Sequence, residues 1–208
     1  MRAGRSWGGR AAWAMAALAG CLSAAAADVW TTYPECRLLD NPANDGDSFH
    51  VKAGRAEYVF RLYFVDCPET DRLIPERVRE QAQYFGTTEE EVLRCGEQAR
   101  EFTRQFLAQG FTVQTRKQDA RGLSAKKRYF ALVRAGGRDL GEELVKRGLA
   151  RAYGEGADLP DGRSERKVWS ALNAAEKTAR GMRFGAWRQS RAGMQPVESG
   201  FPPGKGRK

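Results

Sequence analysis

The sequence predicts an α+β domain whose short strands close into a small barrel. Two groups of short β-type runs, at 49–65 and 111–133, are separated by a stretch of helical periodicity. Further helix-period segments with start and stop signals follow the second group, at 139–147 and 164–180. Strand runs of this length suit a small closed sheet better than a large open one.

The elements follow in chain order. Asn41-Pro42-Ala43-Asn44-Asp45-Gly46 is a loop of turn formers. Phe49 and Val51 then alternate with polar neighbours, as in a half-buried strand that includes His50. Gly54-Arg55 reads as a hairpin turn, and Tyr58 to Val65 as one strand, apolar except for Arg61. Pro68 ends it. A mixed-charge helix is expected over 76–85, closed by Gly86. Thr88 and Glu91 form a capping box for a helix reaching about Gln109, with Ala99, Phe102 and Phe106 on its inner face. Phe111–Thr115 and Tyr129–Val133 read as strands around a basic loop at 116–127. Gly136-Gly137 makes a turn, Asp139 and Glu142 cap a short helix, and 154–163 is a loop. Val168, Leu172, Ala175 and Ala179 stripe the last helix.

An apolar fraction of 41% excludes disorder of the whole chain. Thirty-five Lys and Arg stand against 26 Asp and Glu, which favours a polyanionic partner such as nucleic acid or an anionic membrane surface. Residues 1–27 have the layout of a secretory signal peptide: Arg2, Arg5 and Arg10, an apolar stretch from Ala11 to Leu22, then small residues from Ala24 to Ala27. The expectation is a secreted or periplasmic protein. Leu18-Ala19-Gly20-Cys21 offers the alternative of lipidation at Cys21, which is the one route to a membrane. The domain is then expected at 28–188, with a basic tail at 189–208 ending Lys205-Gly206-Arg207-Lys208. Cys36, Cys67 and Cys95 permit one disulfide in any of three pairings. Their spacing, with a single histidine, fits no zinc site.

Chemistry concentrates in Asp45-Gly46-Asp47-Ser48 and in Arg61 through Val65-Asp66-Cys67-Pro68-Glu69-Thr70. Carboxylates at strand ends suit a hard cation such as calcium. A cation and arginines together let an anionic phosphodiester approach such acids and stabilise added charge at phosphorus. The bland reading of Arg61 is a solvent-facing edge position; that of Asp-Gly-Asp is a metal-free turn.

In this order and spacing the segments closely resemble the staphylococcal nuclease family over roughly 45–187, with Cys95-Gly96-Glu97-Gln98-Ala99, Glu143 to Ala150 and Gly185-Ala186-Trp187 adding to the likeness. The resemblance implies an OB-fold barrel of five strands with about three flanking helices; the long segment after Glu69 adds an extra helical insertion. It implies calcium held by Asp47, Asp66 and the Cys67 backbone carbonyl. Glu69 would orient or deprotonate the attacking water, and Arg61 would bind the phosphate. Arg128 matches the second phosphate arginine, although Lys126-Lys127 replaces the usual Tyr-Gly before it; Arg121 is the alternative. Tyr153 stands for a nucleotide-contacting tyrosine. The implied protein is a monomeric, calcium-dependent nuclease acting on DNA, RNA or both, with no obligate protein partner. The alternatives are a non-catalytic OB-fold nucleic-acid-binding module and a surface-attached basic protein with a structural calcium site.

Overall fold

The computed structural model describes residues 29–120 and 127–189. The leader, Cys21, Arg121, Lys126 and the tail from 190 lie outside these residues. Eight strands and four helices run in the order β1 (Thr31–Leu38), β2 (Ser48–Ala53), β3 (Ala56–Leu62), β4 (Val65–Asp66), α1 (Pro75–Phe85), α2 (Glu89–Phe106), β5 (Phe111–Asp119), β6 (Arg128–Ala135), β7 (Arg138–Asp139), α3 (Leu140–Lys146), β8 (Arg151–Ala152) and α4 (Glu165–Gly181). No described helix is long and apolar enough to cross a membrane.

The sheet runs β3-β2-β1-β5-β6 and closes through a parallel β3–β6 pairing, with β7 added at the edge of β6. This is the closed five-stranded barrel expected. Phe49, Val51 and Phe60 are fully or almost fully buried inside it, and Val113, Ala131 and Val133 face them. The hairpin turn at Gly54-Arg55 is as expected: Ala53 pairs with Ala56, and Gly54 takes a φ of 62°.

Three elements differ from the sequence reading. β1 has no counterpart in the sequence pattern, because Pro34 interrupts it and Glu35 sits at a φ of 55°, shifting the register between Tyr33 and Cys36. The expected single strand from Tyr58 to Val65 breaks at Tyr63-Phe64, where Phe64 adopts a φ of 69°. That turn is held at both ends: the Tyr63 N–H donates to Ala131 and the Phe64 N–H to Glu155. It swings Val65–Asp66 away from the barrel to pair with Ala152 and Arg151. Finally β5 reaches Asp119, so the loop before β6 is shorter than 116–127. Polar residues 116–119 gave no strand pattern, and a left-handed Lys117 bulges them out of simple alternation.

The helices end where their caps dictate. Gly86 closes α1 in a left-handed conformation, its N–H donating to the last turn. Thr88 caps α2 by accepting from the Glu91 N–H. Only half of the capping box forms, because the Glu91 carboxylate turns to Arg94 instead. The four helices include α1, the expected extra insertion. Val78 and Ala82 of α1 pack on Val92 of α2. Cys36, Cys67 and Cys95 are buried free thiols.

Asp139 caps α3 by accepting from the Glu142 N–H at 3.1 Å. Burial pushes its carboxyl up to about 6. A proton held more tightly in the fold than in the open chain gives stability that is lost as pH rises from about 4 to about 6. Asn caps as well as Asp without carrying that charge. Asp139→Asn is therefore expected to stabilise the protein at pH 7 by about 1 kcal/mol. The melting temperature should rise by about 2–4 °C at pH 7 and hold steadier between pH 4 and 6. A pH-independent loss of melting temperature would show instead that the charge is needed at the cap.

Candidate active site

One cleft of about 740 Å³ gathers Asp47, Asp66, Cys67, Glu69, Arg61, Arg128 and Tyr153. A larger hollow of about 1310 Å³ lies elsewhere, between β1, the end of α2 and the β6–β7 turn. Its one acid is Glu35.

The cleft is built from the barrel wall outward. Asp45 folds the turn before β2 by accepting from the Asp47 and Ser48 N–H groups at 3.0 and 2.6 Å. This sets Asp47 at the start of β2, opposite Arg61 on β3, since Ser48 pairs with Arg61. Asp47 then accepts from the Cys67 N–H at 2.8 Å, tying the two motifs together. The parallel register puts Val59 beside Arg128 and Arg61 beside Phe130. Side chains in those four positions share the outer face of the barrel, so Arg61 and Arg128 stand on one wall of the cleft. Arg61 is no edge residue. Its Nη2 donates to Asp47 Oδ2 at 3.2 Å and to Asp66 Oδ1 at 2.7 Å.

Two glycines allow this packing. A β-carbon at Gly46 would lie 2.7 Å from both Ala99 Cβ and Cys67 Sγ. One at Gly96 would collide with the Glu69 carbonyl. The backbone of α2 therefore presses directly on the turn that carries Glu69. Thr103 of α2 also donates to the Gly46 carbonyl at 2.7 Å.

Residues that the sequence did not single out complete the site. Gln81 of α1, fully buried, uses both ends of its amide. Its Nε2 donates to Asp66 Oδ2 at 3.1 Å and to the Cys67 carbonyl at 2.9 Å, and its Oε1 accepts from the Glu69 N–H at 2.8 Å. Arg77, one turn earlier, donates to Glu69 Oε1 at 2.5 Å and to Asp66 Oδ1 at 2.9 Å. Arg151 of β8 is almost wholly buried. It donates to Asp66 Oδ2 and forks onto Glu80. Its guanidinium also stacks over the Tyr153 ring at 4.2 Å, while Tyr153 stands exposed at the cleft rim. Two signals were there to be read. Gln81 interrupts the buried stripe of Val78, Ala82 and Phe85, and Arg151 interrupts the apolar run Leu149-Ala150 to Ala152.

The electrostatics are unequal. Burial, reinforced by Asp47, pushes the Asp45 carboxyl well up. Burial likewise raises Asp47 against the pull of Arg61. Asp66 goes the other way: burial alone would raise it, but Arg151, Arg61 and Arg77 hold it at about 2. Burial keeps Cys67 a neutral thiol. The cleft thus holds two acids whose burial outweighs the positive charge near them, beside one that three arginines keep ionised.

Among the described residues, no three acidic, thiol or imidazole side chains form a ready metal cage. The donor chemistry nevertheless fits a hard cation. One nitrogen of Arg61 already lies within bonding reach of carboxylate oxygens from both Asp47 and Asp66. A positive centre between these two acids is what the site accommodates. The Cys67 carbonyl can contribute its second lone pair, the first being taken by Gln81.

No curated protein matches the chain. Residues 59–189 match the family model described as staphylococcal nuclease homologue. The match spans Arg61, Asp66, Cys67, Glu69, Arg128 and Tyr153, and starts after the Asp45–Ser48 turn that the fold brings to the same cleft. The matched segment covers more than half of the sequence, and the barrel has the architecture of that family: the chain belongs to the staphylococcal nuclease family.

Proposed function

We propose that the protein is an exported, calcium-dependent nuclease that hydrolyses phosphodiester bonds of DNA, RNA or both. Family membership makes the domain a nuclease or a nucleic-acid-binding module. The observation that favours the nuclease is the set of acids in the cleft. Asp45 and Asp47 are held where burial disfavours their charge, beside a half-exposed Glu69. A module that only grips a polyanion gains nothing from acids at its binding face and loses affinity to them. A hydrolase needs them to hold a cation and to handle a proton.

In this reading Asp47, Asp66 and the Cys67 carbonyl hold calcium, which when bound supplies positive charge toward the phosphate oxygens. The planar forks of Arg61 and Arg128 bind the phosphate and stabilise charge that builds up during attack. Glu69 accepts a hydrogen bond from the attacking water and orients it or takes its proton. Tyr153, braced by Arg151, lines the path of the nucleotide. The leader at 1–27 is proposed to direct export.

The test is degradation of plasmid DNA and of RNA by purified residues 28–208, with calcium and then with a chelator. Degradation that stops on chelation supports the proposal and ranks the two substrates. Salt-sensitive binding without degradation would replace it by the binding module.

A further inference from the structure

Asp66 has no vacant corner. Each carboxylate oxygen offers about two lone-pair sites. On Oδ1, Arg61 and Arg77 take them at 2.7 and 2.9 Å. On Oδ2, Arg151 and Gln81 take them at 3.0 and 3.1 Å. A cation that is to reach Asp66 must therefore displace one of these donors. Arg151 is buried and forked onto Glu80, and Gln81 is buried and committed to three groups. Arg61 sits on the barrel wall with its side chain 19% exposed, whereas that of Arg77 is 36% exposed and lies at the mouth of the cleft. Arg77 is the donor whose release costs least. It also holds Glu69, so its departure opens a lone pair on each acid at once.

We propose that Arg77, carried by the inserted helix α1, is a counter-ion that takes the metal's place on Asp66 while masking Glu69, and that calcium binds by exchanging with it. The proposal rests on the calcium reading above. The helix itself stays in place during the exchange, because Gln81, four residues on, remains bonded to the Cys67 carbonyl and the Glu69 N–H. Only the Arg77 side chain swings to solvent. An occupant that must leave first lowers the apparent affinity for the ligand by the fraction of molecules in which it has left.

Calorimetric titration of calcium into the purified protein tests this, with no substrate and no turnover. Arg77→Ala is expected to bind calcium about tenfold more tightly than the wild type. Arg77→Gln removes the charge but keeps a neutral hydrogen-bond donor on a shorter side chain. It should also bind more tightly, and it carries the test if the alanine variant folds poorly. Arg77→Lys should stay close to the wild type. Unchanged affinity in both neutral variants overturns the proposal. Weaker binding does so too, since it would mean that Arg77 builds the site. If neither wild type nor variants bind calcium, the metal reading itself falls and takes the exchange with it, an outcome distinct from the other two.

Discussion

Asp66→Ala is expected to lower the melting temperature by about 10 °C or more at pH 7. Asp66 is almost fully buried and receives Arg61, Arg77, Arg151 and Gln81. Removing it leaves three guanidinium groups crowded without their shared counter-charge. Breaking a buried ion pair in this way costs about 3–5 kcal/mol, because the stranded charge stays desolvated. The loss falls chiefly on Arg151, the most deeply buried of the three guanidinium groups. The pH dependence identifies the cause. The Asp66 carboxyl is held at about 2, below its unfolded value near 4, so its contribution is present above pH 4 and disappears as pH falls toward 2. Asp45 and Asp47 act in the opposite sense, taking up protons and shedding repulsion as pH falls. The Asp66 share is therefore the difference between wild type and variant. That difference should be about 2 kcal/mol larger at pH 6 than at pH 2. Thermal unfolding followed by circular dichroism over this range measures it. A variant that melts within 2–3 °C of the wild type at pH 7 would mean that the arginines find other partners and that Asp66 serves chemistry alone.

Glu69→Gln is expected to slow cleavage by about 10²–10⁴ while the fold and nucleic-acid binding survive. The side chain is partly exposed, and its partner Arg77 can donate to an amide oxygen as well as to a carboxylate. The Glu69 N–H keeps its bond to Gln81 whatever the side chain. Stability should therefore change by less than about 1 kcal/mol. What disappears is the group able to accept a proton from water. Rates on plasmid DNA in calcium, set beside fluorescence anisotropy of a labelled oligonucleotide, separate the two effects. Undiminished cleavage by the variant would move the base elsewhere in the cleft. Loss of binding in parallel with cleavage would mean that Glu69 shapes the phosphate site instead.

The parts of this molecule that were legible in the sequence are those with local causes. The turn at Asp45-Gly46-Asp47, the stop at Pro68, the caps Thr88 and Asp139 and the glycine stops at 86 and 136–137 each follow from the conformational demands of a few adjacent residues. The residues that make the cleft work together were less visible. Arg77 and Gln81 lie on a helix of mixed charge, where an arginine at the surface is unremarkable by pattern. Their role depends on α1 folding back over a turn six or more residues earlier. Phe64 gives no local sign of a left-handed backbone; the bonds from residues 131, 153 and 155 impose it. β1 has no strand pattern in the sequence because Pro34 and Glu35 spoil its alternation, yet its neighbours β2 and β5 on either side complete it. Arg128 is marked in the sequence only by the family resemblance and its place just ahead of a strand, and the parallel pairing that brings it to the wall of Arg61 is a contact between segments nearly seventy residues apart.

Gln81 has one more consequence. A stretch of chain that lengthens a loop in an established fold ordinarily behaves as cargo, which can drift in length or be trimmed by an engineer without harm to the host. Here three polar groups of the turn at Asp66, Cys67 and Glu69 lean on a single amide from that stretch. The dependence is structural and points inward, from host to insertion. A shortened barrel lacking residues 71–87 would have to rebuild those bonds before it could hold Glu69 in place, so in this protein the insertion has become a part of the frame that the smallest working version of the domain must retain.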